Sequence, residues 1–231
     1  MRKFIGSLFL LAVLVLFGSS LYAFGIPKIS NPVSSGDSGN IKEKVDNIAD
    51  LSEEATSLYN NSILQLNDLL STKEEKAQLK AKYENLIEEA DVSEDNAIPG
   101  EVITDAASNL EELSKQQDLS DRIDNLSNEQ KKKAGYYASN IILANLKFVK
   151  LASESKSVVK EVSMNPKAAL TVDVNKLKTI AKTAPKLVSA SAKATTSVTK
   201  IMKSSKIKFY TPKTDADKAR PVEDFSFEDE E

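Results

Sequence analysis

Lysine is the residue type whose distribution could give this sequence a binding function. Residues 24–130 contain 9 Lys or Arg and 23 Asp or Glu, which gives a net charge of −14. Residues 131–210 contain 17 Lys and 3 acidic residues, which gives a net charge of +14. The candidate patch for an anionic partner consists of Lys131, Lys132, Lys133, Lys176, Lys182, Lys186, Lys193, Lys200 and Lys203.

This charge segregation has two interpretations. In the first, which general principles favour, acidic and basic helices pack side by side and their charges select which helices pair. In the second, the basic half faces solvent and binds an anionic partner, either a protein or a membrane surface. Nucleic acid is not expected, because residues 131–210 contain no Arg, the side chain whose planar fork suits phosphates and base edges.

The absence of Cys and His removes most of the usual catalytic chemistry. Thiol nucleophiles, disulfides, Cys/His zinc sites and imidazole acid–base catalysis are all excluded. Asp91 and Asp95 suggest a calcium loop, but the Gly and Glu that an EF-hand needs at its sixth and twelfth positions are replaced by Asn96 and Val102. We therefore predict no catalytic residue, no metal site, no cofactor and no enzymatic activity.

The strongest periodic signal in the chain is a helical stripe between residues 127 and 162. Apolar or small residues recur there every seven positions, as in a coiled coil. A second apolar row widens the buried face, which is typical of a helix packed between several partners. Ser127 and Gln130 form a predicted capping box at the start of this helix. The stripe is Ala134, Ile141, Phe148, Ser155 and Val162, and the second row is Ile142, Leu143, Leu146 and Val149.

Similar patterns extend before and after this helix. Weaker periodic segments begin at Ile41, and Pro166 should end the long helix because proline disfavours helical backbone in the preceding residue. Asp173 is the predicted cap of a last long helix that ends near Ser205. The pattern predicts an all-α fold, an elongated antiparallel helical bundle with coiled-coil-like packing and about four to six helices.

The ends of the chain differ from this bundle. Met1 to Ala23 has a basic start, an apolar core and small residues near its end, as a secretory signal peptide does. We therefore expect an exported protein, periplasmic or extracellular. Residues 24–40 form a predicted flexible leader, residues 41–210 the bundle, and residues 211–231 a disordered acidic tail.

Two phenylalanines in the tail, Phe225 and Phe227, form a candidate anchor. Their surroundings are acidic, so the basic half of the same chain is the expected docking site for this anchor.

Two hypotheses for function follow from these patterns. The first is an exported, non-enzymatic helical binding or scaffold protein of the cell envelope, with possible self-association through its helices. The alternative is a membrane-active protein that binds anionic lipid, or forms pores, through the wide apolar face between Ile141 and Leu151.

Overall fold

The computed structural model describes residues 38–89 and 100–222. The described part contains helices and no strands. Its seven helices are α1 (Ser38–Leu70), α2 (Lys73–Glu89), α3 (Gly100–Leu113), α4 (Leu119–Asp124), α5 (Asn128–Met164), α6 (Pro166–Ala169) and α7 (Val174–Ser204). The predicted all-α bundle is confirmed. The number of helices exceeds the four to six expected, because α4 and α6 have only 6 and 4 residues and are too short to show a heptad pattern.

Helix α5 lies between α1 and α7, and these two contacts are the most extensive in the molecule. On the α1 side, the Lys44 ammonium lies 2.6 Å from the Glu161 carboxylate, and the Tyr137 hydroxyl donates to Gln65 at 2.6 Å. Residue numbers therefore rise along α1 as they fall along α5, so the two helices are antiparallel. Helix α3 packs against α7 and α1, and α2 packs against α3.

The predicted stripe of α5 forms the centre of the core. Its five members, from Ala134 to Val162, are all buried. Phe148 meets the edge of Tyr59 from α1, with ring centroids 5.7 Å apart. Because burying one large apolar side chain stabilises the folded state by about 1.5–3 kcal/mol, this seam is a main source of fold stability.

The helix ends follow the sequence signals. The Ser127–Gln130 capping box is present, and the Asp173 side chain accepts a hydrogen bond from the Lys176 amide at 2.8 Å. A second capping box joins Thr72 and Glu75 at the start of α2. Pro166 stands at the first turn of α6, directly after the end of α5, as predicted.

Residues 206–222 form an extended strap that returns over α5. Lys206 adopts the left-handed conformation, with φ of 55°, and the Ile207 amide donates to the Met202 carbonyl at 2.9 Å, which ends α7 in a Schellman motif. The strap backbone then approaches α5 so closely that a Cβ at Gly135 would clash with the Lys208 carbonyl oxygen. Glycine is therefore required at this position for close packing.

Buried polar groups of α5 hold the strap in place. The Asn140 side chain accepts from the Arg220 amide at 2.7 Å and donates to the Arg220 carbonyl at 3.0 Å. Ser139 Oγ accepts from the Tyr210 amide at 3.1 Å. The prediction of disorder from residue 211 onward is therefore wrong for residues 211–222, because Arg220 in this segment satisfies the side chain of Asn140, which α5 buries. Residues 223–231 lie outside the described residues.

A buried hydroxyl gives the first prediction. In the described part of the chain, the Tyr59 hydroxyl is buried without a hydrogen-bond partner, and an unsatisfied buried group is costly. Tyr59→Phe should therefore raise the free energy of unfolding by about 1 kcal/mol, measured by urea denaturation. The matched control is Tyr137→Phe, which removes the hydroxyl bonded to Gln65 and should lower stability. Equal effects of the two substitutions would contradict this account.

A second prediction concerns the strap and pH. Hydrogen bonds from the Lys213 amide and then from the Tyr210 hydroxyl lower the pKa of Asp217 below its ordinary value of 3.8. The ordered strap therefore favours the charged form: its contribution is complete above 3.8 and is lost as the pH falls through the lower, folded-state pKa. NMR shifts of the Tyr210 ring should move towards disordered values over that range.

The variant Asp217→Asn tests the same point at neutral pH. It keeps the shape of the side chain but removes its charge, so the Tyr210 ring shifts should already be displaced. Wild-type shifts in this variant would show that the Asp217 charge does not hold the strap.

Candidate anion-binding surface

Helix α7 carries a continuous row of lysines on its outer surface. The helix contains seven Lys and no acidic residue, and all seven Lys are exposed. Because an α-helix turns about 100° per residue, six of them fall within an arc of about 100°. From first to last they extend about 37 Å along the helix axis. We call this row the lysine ridge; it consists of Lys178, Lys182, Lys186, Lys193, Lys200 and Lys203.

The buried face of α7 explains why the lysines point outward. That face consists largely of small or apolar side chains that pack on α5 and α3, among them Ala184, Ala194 and Val198, each with 0% exposure. Small residues allow a close approach between helices. A long charged side chain is therefore excluded from that face and remains in solvent.

The ridge has no ion pair within the described residues. The acidic half instead pairs largely within itself, for example Arg122 with Glu75 at 2.8 Å. Lys147 and Glu54, 2.9 Å apart, join the basic half to the acidic half, while Lys44 and Glu161 pair in the opposite sense. The positive charge of α7 is therefore left largely uncompensated in the described part.

The charge of the lysine ridge affects the pKa of one acidic residue of α3, Glu111. The Lys115 side chain, by hydrogen bond and charge, is the main cause that lowers the pKa of Glu111, and the charge of Lys193 adds a smaller effect. Glu111 itself forms its ion pair with Lys115 at 2.7 Å. Lys193 thus keeps its ammonium group for solvent or for a partner.

The predicted patch divides into two parts in the structure. Lys131 donates to the Asp124 carbonyl at 2.9 Å, and the Lys132 ammonium lies 5.5 Å from the centre of the Tyr136 ring. Lys133 also has an interaction within the protein. All three residues thus have interactions within the protein, whereas the predicted members on α7 are exposed and have no ion pair in the described part.

Two features of the α7 lysines refine the predicted patch. The predicted patch lacks Lys178, although the spacing of this residue places it on the same stripe. Lys176 is exposed but lies about 100° around the helix from Lys193. The candidate anchor, Phe225 and Phe227, lies outside the described residues.

The apolar face of α5 that suggested membrane insertion is buried. Ile141, Ile142 and Leu143 have exposures of 0%, 3% and 1%, and Leu146 and Val149 are half-buried. The face is buried because α5 lies between α1 and α7 and because the strap is bonded to the remaining surface of α5. A wide apolar face on this helix indicates enclosure within the protein.

The described residues contain neither a cluster suited to a metal ion nor a helix suited to span a membrane. No group of three acidic side chains within them could hold a metal ion. The rejected calcium loop at residues 91–102 lies largely outside the described residues. None of the described helices combines the length and the apolarity needed to cross a bilayer.

Comparisons with known proteins give no further identification: no family model matches the chain, and neither a curated protein nor a solved structure matches it.

The different environments of the lysines give a third prediction. Lys147 is 7% exposed and paired with Glu54, whereas the ridge lysines are exposed and unpaired in the described part. An amine-reactive reagent under limiting conditions should therefore modify the ridge several-fold faster than Lys147. Mass spectrometry of the digested protein measures both rates in one sample. Modification of Lys147 at the rate of Lys186 would contradict the described packing.

Proposed function

We propose that this protein is an exported, non-enzymatic helical binding or scaffold protein of the cell envelope, and that it attaches to an anionic surface through the lysine ridge. The observation that carries this proposal is a row of six exposed lysines, without ion pairs in the described part and without acidic residues on the same helix. Structural charge networks normally alternate the two signs. A row of positive charges without neighbouring negative charges can instead attract an anionic partner.

The chemistry of the ridge suits a diffuse negative surface. Lysine is a flexible point charge, whereas arginine provides the planar fork used for specific phosphate recognition. Each lysine close to an anionic membrane contributes about 1 kcal/mol, and the effect fades within a Debye length, about 8 Å at physiological salt. Six lysines along one helix therefore give appreciable attraction without a shaped pocket.

Two features of the sequence support the remaining parts of the proposal. The apolar run between Ile5 and Phe17, preceded by Arg2 and Lys3, supports export through a signal peptide. The lack of Cys and His in the whole chain supports a binding role over a catalytic one.

Binding to vesicles tests this proposal. The chain from Phe24 onward should co-sediment with anionic vesicles, should not co-sediment with neutral ones, and should detach at high salt. Replacing Lys182, Lys186, Lys193 and Lys200 with Gln should weaken binding by about three orders of magnitude, because each of the four charges contributes about 1 kcal/mol.

The matched control removes the same number of charges from other exposed positions. Lys42, Lys73, Lys213 and Lys218 are exposed and lie outside the ridge, so their replacement with Gln should change affinity far less. Equal losses from the two sets would show that net charge, and not the ridge, directs binding. Absence of binding to anionic vesicles by the unaltered chain would reject the proposed function.

A further inference from the structure

Three large apolar side chains are exposed in the described part of the chain: Met164, Leu170 and Tyr210, with exposures of 67%, 88% and 40%. Tyr210 has partners, since its hydroxyl donates to Asp217 at 3.0 Å and its ring stacks under Arg220. Met164 and Leu170 stand on either side of the four-residue helix α6. Two of the three exposed groups therefore lie at one corner, where α5 turns into α7.

Hydrogen bonds and the burial of Ala168 fix the backbone of this corner. Asn165 caps α6 by accepting from the Ala168 amide at 3.2 Å, and Ala168 itself is fully buried. The Thr171 hydroxyl donates to the Ala168 carbonyl at 2.9 Å. Because the backbone is held by these contacts, Met164 and Leu170 are held outward by the fold.

Lysines flank the two apolar groups along the chain. Lys160, Lys167, Lys176 and Lys178 are all exposed. The acidic residues of this corner are engaged: Glu161 pairs with Lys44 at 2.6 Å, and Asp173 caps α7.

Two further acidic residues, Glu43 and Asp46, are exposed near the same end of the bundle. They belong to α1, whereas the corner and the ridge belong to α5, α6 and α7. Helix α1 also packs against α6, so these two acids oppose docking at the corner, but the four exposed lysines outnumber them.

We propose that the anionic surface is a phospholipid bilayer and that the corner formed by residues 164–170 inserts into its interface. Met164 and Leu170 reach the boundary between headgroups and acyl chains, and the surrounding lysines lie among the anionic headgroups, as in other interfacial elements. The ridge begins at Lys178, eight residues after Leu170, so the corner and the ridge provide one continuous docking surface. This inference rests on the proposed function and adds the kind of partner and the point of insertion.

The shape of the corner favours a bilayer over a protein partner. A stable protein interface covers about 800 Å² on each side, with a buried apolar centre. Two apolar side chains projecting from a convex turn, with lysines around them, offer no such centre. They match the pattern of an apolar wedge beneath a basic rim that interfacial binding requires.

A single tryptophan tests insertion directly. The chain contains no Trp, so Leu170→Trp introduces a unique fluorophore at the corner. In the chain from Phe24 onward, its emission should shift to the blue with anionic vesicles, and lipids brominated on their acyl chains should quench it. The matched control is Ser120→Trp, at an exposed position on α4, where neither effect is expected.

A second pair of variants measures the contribution to affinity. Met164→Gln combined with Leu170→Asn should weaken vesicle binding about ten- to a hundredfold, because the partial burial of two apolar side chains in the interface is lost. Both positions are exposed, so the thermal transition should stay unchanged. The exchange Leu170→Met keeps an apolar group and should retain the affinity.

The outcomes separate this inference from the proposed function. Binding to anionic vesicles without a blue shift at residue 170 would overturn insertion and leave the lysine ridge as the binding surface. A blue shift that depends on protein concentration without vesicles would assign the corner to a second copy of this chain and overturn the inference. Failure to bind any anionic vesicle would reject both proposals.

Discussion

The enclosure of α5 is the constraint on which the rest of the structure depends. Eight consecutive residues, 137–144, are buried, which is more than two helical turns and therefore the full circumference. Two neighbouring helices leave part of such a helix uncovered, and the strap is bonded to that remaining surface through Ser139 and Asn140. The buried run includes three polar residues, so each needs a hydrogen-bond partner as well as a packing partner. Gln65 supplies the partner for Tyr137, and the strap backbone supplies those for the other two.

Sequence periodicity was sufficient for the helices because it records burial directly. The stripe from Ala134 to Val162, the capping box at Ser127 and the stop before Pro166 all depend on interactions within a few residues. The strap depends on contacts between residues about 80 positions apart, such as Asn140 with Arg220. A side-chain amide that binds the backbone of a distant segment leaves no pattern in either stretch, so the sequence predicted disorder from residue 211.

The candidate site likewise depends on contacts that the sequence pattern does not record. The pattern identified the lysines of α7 but could not distinguish them from Lys131–Lys133, because engagement by a carbonyl or an aromatic ring is decided by the fold. The apolar width of α5 allowed two interpretations, packing between several helices and a membrane-binding face, and the structure shows the packing. Conversely, Leu170 belongs to no periodic segment. Its side chain is 88% exposed because it lies in the tight turn between α5 and α7. This exposure is visible only in the three-dimensional structure.

The segregation of charge along the sequence places the opposite charges on different helices of the bundle. Exposed acidic residues such as Asp46 and Asp50 lie on α1, and the lysine ridge lies on α7, with α5 packed against both helices. Neighbouring helix axes are about 8–10 Å apart, and outward-facing charges on different helices are farther apart still. The Debye length at physiological salt is about 8 Å, so solvent screens most of the attraction between the two sets. Complementarity between α1 and α7 then contributes little to stability, and most of the charge of α7 remains available to an external anionic surface that approaches within that distance.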